Sequence, residues 1–264
     1  MIRRIIFSVN PGRCGTLYLY NAFTAFTDVL SAQEHRPTFV GVQGKAQHNR
    51  RYAKKWLKSE MIPWIGGDSA GKTIYLKTSH VFGHGFVEPM IDTGVPFEVL
   101  FIHRDIREVS LSMWRMGYIP VRWFRTDDYF LRPECRYNVL RVKPSVYKSW
   151  SDYQFCYWHT LEMAGRAVKY KRIFAELEIP YYETTYPDFT SKEGLLKLSA
   201  EMRLGYFDEQ TYQEVDKKGK INATYLGVRN RTFAEIDDHE QAVRKTVSEH
   251  LEELGGLHIH GGAV

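Results

Sequence analysis

The sequence predicts an α/β fold built on parallel strands, and two segments carry that prediction. In the first, Arg4-Ile5-Ile6-Phe7-Ser8-Val9 reads as a strand, Asn10-Pro11-Gly12-Arg13-Cys14-Gly15-Thr16 as a tight turn, and the residues from Leu17 as a helix. In the second, Phe97-Glu98-Val99-Leu100-Phe101-Ile102-His103 reads as a strand, Arg104-Asp105 as a turn, and the residues that follow as another helix. Strand–turn–helix units of this kind build parallel sheets, because parallel neighbours need a crossover connection. With 264 residues, 44% hydrophobic and 14% aromatic, the chain buries a sizeable core, and one domain over residues 1–264 is the simplest organisation.

The first unit has the makings of an anion site. Gly12 and Gly15 permit unusual dihedrals and close backbone approach in the turn. The next helix, with Leu19, Ala22, Phe23 and Phe26 at helical spacing, points its unpaired N–H groups and positive dipole end into that turn. Arg13 adds a permanent charge with a planar donor fork, and Thr16 a hydroxyl.

Further along, Lys45, Arg50, Arg51, Lys54, Lys55 and Lys58 cluster with no acid between them. A solvated helix face is the plain reading; a rim that attracts an anionic acceptor or a nucleotide is the sharper one. Residues 66–73, Gly66-Gly67-Asp68-Ser69-Ala70-Gly71-Lys72-Thr73, satisfy the Walker A pattern, which needs a strand before it and a helix after it. No β run of useful length precedes them, and Ile74-Tyr75-Leu76-Lys77-Thr78 reads as a strand, so the segment is expected to be a turn entering that strand. A P-loop ATP- or GTP-dependent kinase or NTPase using residues 66–73 is the alternative function, together with a non-catalytic nucleotide-binding protein.

In the second unit, Val99 to Ile102 suit a buried parallel strand. Asp105 and Glu108 form a capping-box pattern, and Val109, Met113 and Met116 give the helix an apolar face. Arg104 lies at the carboxyl end of its strand, where open α/β sheets bind ligands. Ser112 follows eight residues later, about two helical turns on. Residues 117–144 interleave Tyr118, Trp123, Phe124, Tyr129, Phe130 and Tyr137 with Arg122, Arg125, Arg132, Arg136 and Arg141, without a sustained period. A long helix is expected over 145–178, a strand at Tyr181-Tyr182-Glu183-Thr184, and helices over 191–204 and 238–254. The tail over 255–264, with His258 and His260, reads as a frayed terminus.

These motifs together resemble the sulfotransferases that use 3′-phosphoadenosine 5′-phosphosulfate (PAPS). Arg13-Cys14-Gly15-Thr16 is similar to the family's 5′-phosphosulfate loop, and the Arg104–Ser112 spacing to its 3′-phosphate motif. Tyr186-Pro187-Asp188-Phe189 resembles its Tyr-Glu-Asp-Leu segment with Pro in place of Glu. The resemblance implies a P-loop nucleoside-kinase-like fold of three layers, with a central parallel sheet of four to five strands flanked by helices. Residues 39–72 and 117–144 read as insertions that form the acceptor side, with a structural flap or a dimer contact as the alternative for 117–144. The resemblance also implies a nucleotide site of Gly12, Arg13, Cys14, Gly15, Thr16, Leu17, Tyr18, Arg104, Ser112 and Tyr186, with Lys218 and Gly219 of Lys217-Lys218-Gly219-Lys220 as a late loop over the 3′-phosphate. Cys14 stands where Ser or Thr is usual and contributes its backbone N–H. Tyr18 stands where cytosolic members carry an adenine-stacking Trp.

The activity implied is in-line transfer of a sulfuryl group to a hydroxyl or amine of a small-molecule, carbohydrate or lipid acceptor, with no metal. Arg13 stabilises charge on the leaving phosphate, and Lys77 assists as a second cation. The general base is open between His80, which resembles the His of the cytosolic Lys-Thr-His segment, and Glu34, which resembles the base position of tyrosylprotein-type members; His84 is in reserve. No nucleic-acid module is recognised and no stretch is long enough to span a bilayer. The three cysteines are widely spaced, against a disulfide framework or a zinc site. A charged N-terminus without a signal core makes a cytoplasmic location the expectation, and an oligomer is compatible with it.

Overall fold

A computed structural model of the chain describes residues 1–264 except 36, 68, 70, 123, 206–209, 211, 216–234 and 256–264. Lys218, Gly219, Trp123 and the tail histidines therefore lie outside the described residues.

The architecture is α/β, with one five-stranded parallel sheet flanked by helices. Its strands are β1 (Arg4–Val9), β2 (Val29–Ala32), β3 (Ile74–Lys77), β4 (Glu98–His103) and β5 (Tyr181–Thr185), in the spatial order β2-β3-β1-β4-β5. β1 is central, pairing in parallel with β3 (Ile6 opposite Leu76) and with β4 (Ser8 opposite Leu100). After β1 the chain leaves toward the β2 edge; after β4 it leaves toward the β5 edge. The carboxyl ends of β1 and β4 therefore flank the point where the connections diverge, the place where open α/β sheets form a ligand crevice.

Burial explains the central strands. Ile6, Phe7, Val99, Leu100 and Phe101 are fully buried, as expected for strands covered on both faces. Phe7 stacks on Phe82 at 4.2 Å, and Phe101 meets Phe174 at 6.0 Å. β2 is short and among the described residues pairs only with β3; its four residues, Val-Leu-Ser-Ala, give too brief a pattern to stand out in the sequence.

The principal helices are α1 (Thr16–Phe23), α2 (Arg50–Trp56), α3 (Ile106–Met116), α4 (Asp152–Glu176), α5 (Lys192–Glu201) and α6 (Ile236–Thr246). The expected helix over 145–178 begins later than its apolar stripe suggests. Pro144–Tyr147 form a separate turn, and α4 starts after Ser151, whose hydroxyl accepts the Gln154 N–H while the Gln154 side chain accepts the Ser151 N–H. That reciprocal box fixes the start. The helix expected over 238–254 divides at Val247 into α6 and Ser248–Glu253. Among the described residues no helix is long and apolar enough to cross a membrane.

Of the described residues in the 66–73 segment, Gly66 ends the short helix Ile62–Gly66 and Gly71 lies in a turn that leads toward β3. Gly71 takes φ 80°, Lys72 Nζ donates to the Thr27 carbonyl at 2.6 Å, and a strand follows rather than a helix. Lys72 thus lies at the amino end of the sheet, opposite the crevice.

The segments over 39–72 and 117–144 dock on each other. Gln43 Nε2 donates to the Phe130 carbonyl (3.1 Å), the Arg132 N–H to Gln47 Oε1 (3.1 Å), and the Arg50 guanidinium lies 4.2 Å from the Tyr137 ring centre. α4 anchors the second segment from below. Glu162, fully buried, accepts the N–H groups of Val139 and Leu140 and pairs with Arg166 at 2.6 Å, while Arg166 also donates to the Gly83 carbonyl and to Asn138.

Candidate functional site

The loop after β1 is shaped from inside. Buried Asn10 accepts the Gly12 N–H on Oδ1 (2.9 Å) and donates through Nδ2 to Ser8 (3.0 Å), an Asx turn tied to its own strand. Three of the four residues 12–15 take positive φ: Gly12 at 80°, Arg13 at 56° and Gly15 at 73°. For Arg13 this left-handed conformation costs about 1–2 kcal/mol, a strain of the kind that gathers at functional sites. Gly15 is required twice over, because a Cβ there would lie 2.8 Å from the Tyr186 ring and 2.9 Å from Phe189.

Gly15 caps α1 with its backbone alone, and no acidic residue occupies the first turn. The first ladder bond is the Leu19 N–H to the Gly15 carbonyl (3.1 Å), so the N–H groups of Thr16, Leu17 and Tyr18 precede the ladder. Gln33 Nε2 reaches Thr16 Oγ1 at 3.4 Å. Burial pushes the Cys14 thiol up to about 12, so it stays neutral and donates to the Gly12 carbonyl. The Tyr18 ring is buried and tilted against Phe189 at 6.0 Å, beneath the loop.

The second unit closes on the first. Arg13 Nε donates to Ser112 Oγ at 3.1 Å, and Arg104 Nη1 donates to the Arg13 carbonyl at 2.9 Å. The Arg104 guanidinium lies 4.2 Å from the Tyr186 ring centre. Asp105 caps α3 by accepting the Glu108 N–H (2.8 Å), but the reciprocal half of the expected capping box is given up: Glu108 instead accepts from Arg104 Nε at 3.0 Å. Burial, with the neighbouring Arg104 guanidinium, lowers the Arg13 pKa from its ordinary value, and Arg13 makes no ion pair among the described residues. Two permanent cations, an open helix N-terminus and a left-handed loop on one crevice form a donor set that fits a phosphate-bearing ligand.

On the β3 side stand the residues expected to move the proton. Lys77 is fully buried at the end of β3, donates to the His35 carbonyl (3.1 Å) and is drawn down to about 8 by burial, against the pull of Glu34. Ser79 donates to Glu34 Oε1 at 2.8 Å, while Glu34 Oε2 is buried without a hydrogen-bond partner. His80 Nδ1 lies 3.9 Å from Glu34 Oε1, and its ring lies 3.5 Å from where a Gly12 Cβ would be. Burial lowers the His80 pKa, with Glu34 and the Tyr129 carbonyl opposing. His84 is fully buried behind it.

Arg13, Arg104, Ser112 and Tyr186 are thus brought together, and Gly12 joins them to the Glu34–Lys77–His80 group. Two residues of this neighbourhood were missed in the sequence. Tyr129, from the turn Thr126–Tyr129, stacks on His80 at 6.1 Å and 13°; its segment was marked by aromatics and arginines, but no period singled it out. His159 lies against His84 at 5.1 Å, hidden in the apolar stripe of α4. The arginines of 117–144 are largely neutralised: Arg122 pairs with Asp152 (2.6 Å), Arg125 with Asp128 (3.0 Å) and Arg132 with Asp127 (2.6 Å). Among the described residues no group of three or more His, Cys, Asp or Glu is arranged to hold a metal ion. No protein-family model matches the chain, and no curated protein matches it either.

Proposed function

We propose that the protein is a sulfotransferase that uses PAPS to sulfate a hydroxyl or amine of an acceptor. The convergence of Arg13, Arg104 and Ser112 carries the reading: two loops about 90 residues apart in sequence meet through the 3.1 Å and 2.9 Å bonds at the divergence point of the sheet. Bound there, PAPS supplies an activated sulfuryl group whose departure leaves charge on a phosphate. Arg13 and the N–H groups at the start of α1 stabilise that charge without reorganising, the property that lowers a barrier most effectively. Arg104 and Ser112 hold the second phosphate, which distinguishes the ligand from ATP-like nucleotides.

On the acceptor side, the proton leaves the attacking oxygen as its bond to sulfur forms. His80 is held neutral by burial and faces Glu34, so it is the candidate base with Glu34 as its electrostatic partner. Lys77, close to neutral pH in its titration, supplies a cation whose charge responds to the site. A cytoplasmic location belongs to the same reading. Transfer from labelled PAPS, screened over carbohydrate, phenolic, lipid and peptide acceptors, tests it. Label transfer that Arg13→Ala lowers at least about a hundredfold supports the reading. Binding of adenosine 3′,5′-bisphosphate without transfer to any acceptor would instead indicate a binding protein.

A further inference from the structure

Two small polar residues are buried at the carboxyl end of β1, among apolar neighbours. Ser8 is fully buried and Asn10 nearly so, beside buried Phe7 and Val9. A hydroxyl or carboxamide taken out of water costs free energy unless it is bonded, so their partners explain them. Asn10 Oδ1 accepts the Gly12 N–H at 2.9 Å. Asn10 Nδ2 lies 3.0 Å from Ser8 Oγ, and Ser8 Oγ lies 3.4 Å from the Ser79 carbonyl oxygen. Ser79 is buried as well, and its hydroxyl lies 2.8 Å from Glu34 Oε1.

The direction of every bond follows from its neighbours. A backbone N–H only donates, so Asn10 turns its oxygen to Gly12 and its NH2 group to Ser8. Ser8 Oγ therefore accepts from Asn10, and its own hydrogen goes to the Ser79 carbonyl, which only accepts. Ser79 Oγ accepts the Val81 N–H at 3.4 Å and gives its hydrogen to the Glu34 carboxylate. One arrangement of hydrogens satisfies the whole chain, from the loop after β1 to the turn after β3.

The two ends of the chain are the two halves of the site. Gly12 leads into Arg13, which grips the leaving phosphate in the proposed reaction. Ser79 leads into His80 and holds Glu34, whose Oε1 lies 3.9 Å from His80 Nδ1. β1 and β3 are direct neighbours, with Phe7 opposite Lys77, so the sheet brings the loop and the turn side by side. The bond from Asn10 to Gly12 shapes the loop by itself; Ser8 adds the tie between loop and turn. In-line transfer needs such a tie, because the sulfur is placed by the phosphate grip and the attacking oxygen by its base. A misplacement of about 1 Å between reacting atoms costs about a hundredfold in rate.

We propose that Ser8, Asn10 and Ser79 are positioning residues: their buried hydrogen-bonded chain sets the spacing between the phosphate loop and the His80–Glu34 pair. The role rests on the sulfuryl-transfer reading; the chain itself does not, and two measurements separate them. Hydrogen exchange of the full chain without ligand reads the chain. The Gly12 amide is expected to be protected, and Asn10→Ala to speed its exchange at least about tenfold. In Ser8→Ala the Gly12 amide stays protected while the Asn10 carboxamide protons exchange faster. A labelled-PAPS transfer assay reads the role. Ser8→Ala lowers kcat at least about tenfold with KM for PAPS and affinity for adenosine 3′,5′-bisphosphate little changed, and Ser8→Thr, which keeps the hydroxyl, recovers most of the loss. Asn10→Ala lowers kcat and bisphosphate affinity together. A Gly12 amide that exchanges as fast in the unsubstituted protein as in Asn10→Ala overturns the proposal. So does a folded Ser8→Ala with unchanged kcat, or one that loses bisphosphate affinity as steeply as kcat. Absence of transfer by the unsubstituted protein, with the exchange pattern as expected, refutes the sulfuryl-transfer reading and the role with it, and leaves the chain standing.

Discussion

Gly15 concentrates the chemistry of the site in one residue. Its φ of 73° and the 2.8 Å approach of the Tyr186 ring leave no room for a side chain, and its backbone opens α1. Gly15→Ala should therefore cost about 1–2 kcal/mol in strain alone and, because Tyr186 supports Arg104, weaken bisphosphate binding more than it weakens the fold. Denaturant unfolding and titration calorimetry on the same variant separate the two losses. The buried histidines give a second residue-scale expectation. The pKa values of His84 and His159 are depressed in the folded state, so the unfolded chain binds more protons below about 6.5 and stability falls as pH falls. At pH 5 each contributes a loss of up to about 2 kcal/mol relative to pH 7. Glu98 and Glu183, whose carboxyls are held below their ordinary range, add to this only nearer pH 4 and below. The urea midpoint measured from pH 7 to pH 5 should drop, and by less in His84→Phe; a flat profile would contradict the buried neutral pair.

Among the elements, those with strong local signals were legible in the sequence. β1 falls where its apolar run places it, and Asp105 caps α3 as its spacing with Glu108 suggests. Residues 66–73 show how context decides a motif: the strand that follows Thr73 leaves Lys72 bonded to a carbonyl at the far end of the sheet. Less legible were features set by partners distant in sequence. β2 exists because β3 offers it a ladder, and α4 begins at Ser151 because a capping box outweighs an apolar stripe that extends further back. Ser151 also bonds His239 of α6 at 2.8 Å, so Ser151→Ala should cost about 1–2 kcal/mol in chemical denaturation, at or above the usual loss of a cap. The Arg166–Glu162 pair ties the 117–144 segment to α4 and to the turn that bears His80. Arg166→Met strands a buried carboxylate and should cost about 3–5 kcal/mol, whereas Arg166→Met with Glu162→Leu should recover part of that, as a double-mutant cycle would show.

The whole molecule places its cations by topology. The order β2-β3-β1-β4-β5 sends the two connections apart beside β1, and the loops after β1 and β4 can meet only there. The sequence revealed both loops separately; their 3.1 Å and 2.9 Å contacts depend on the parallel pairing of strands some 90 residues apart, which no local pattern encodes. The chain's +5 net charge fits an anionic ligand without naming it. In the proposed reading that ligand is adenosine 3′,5′-bisphosphate. At about one hundred times its dissociation constant, a ligand that binds only the folded state stabilises by about 2.7 kcal/mol, which for a chain of this size raises Tm by about 5–10 °C. The central measurement is that thermal shift in the unsubstituted protein, in Arg104→Ala, and with ATP and magnesium in place of the bisphosphate. The shift should appear with the bisphosphate, vanish in Arg104→Ala and be absent or much smaller with ATP. A larger shift with ATP and magnesium that Lys72→Ala removes would contradict the account, and would place the nucleotide at the opposite end of the sheet.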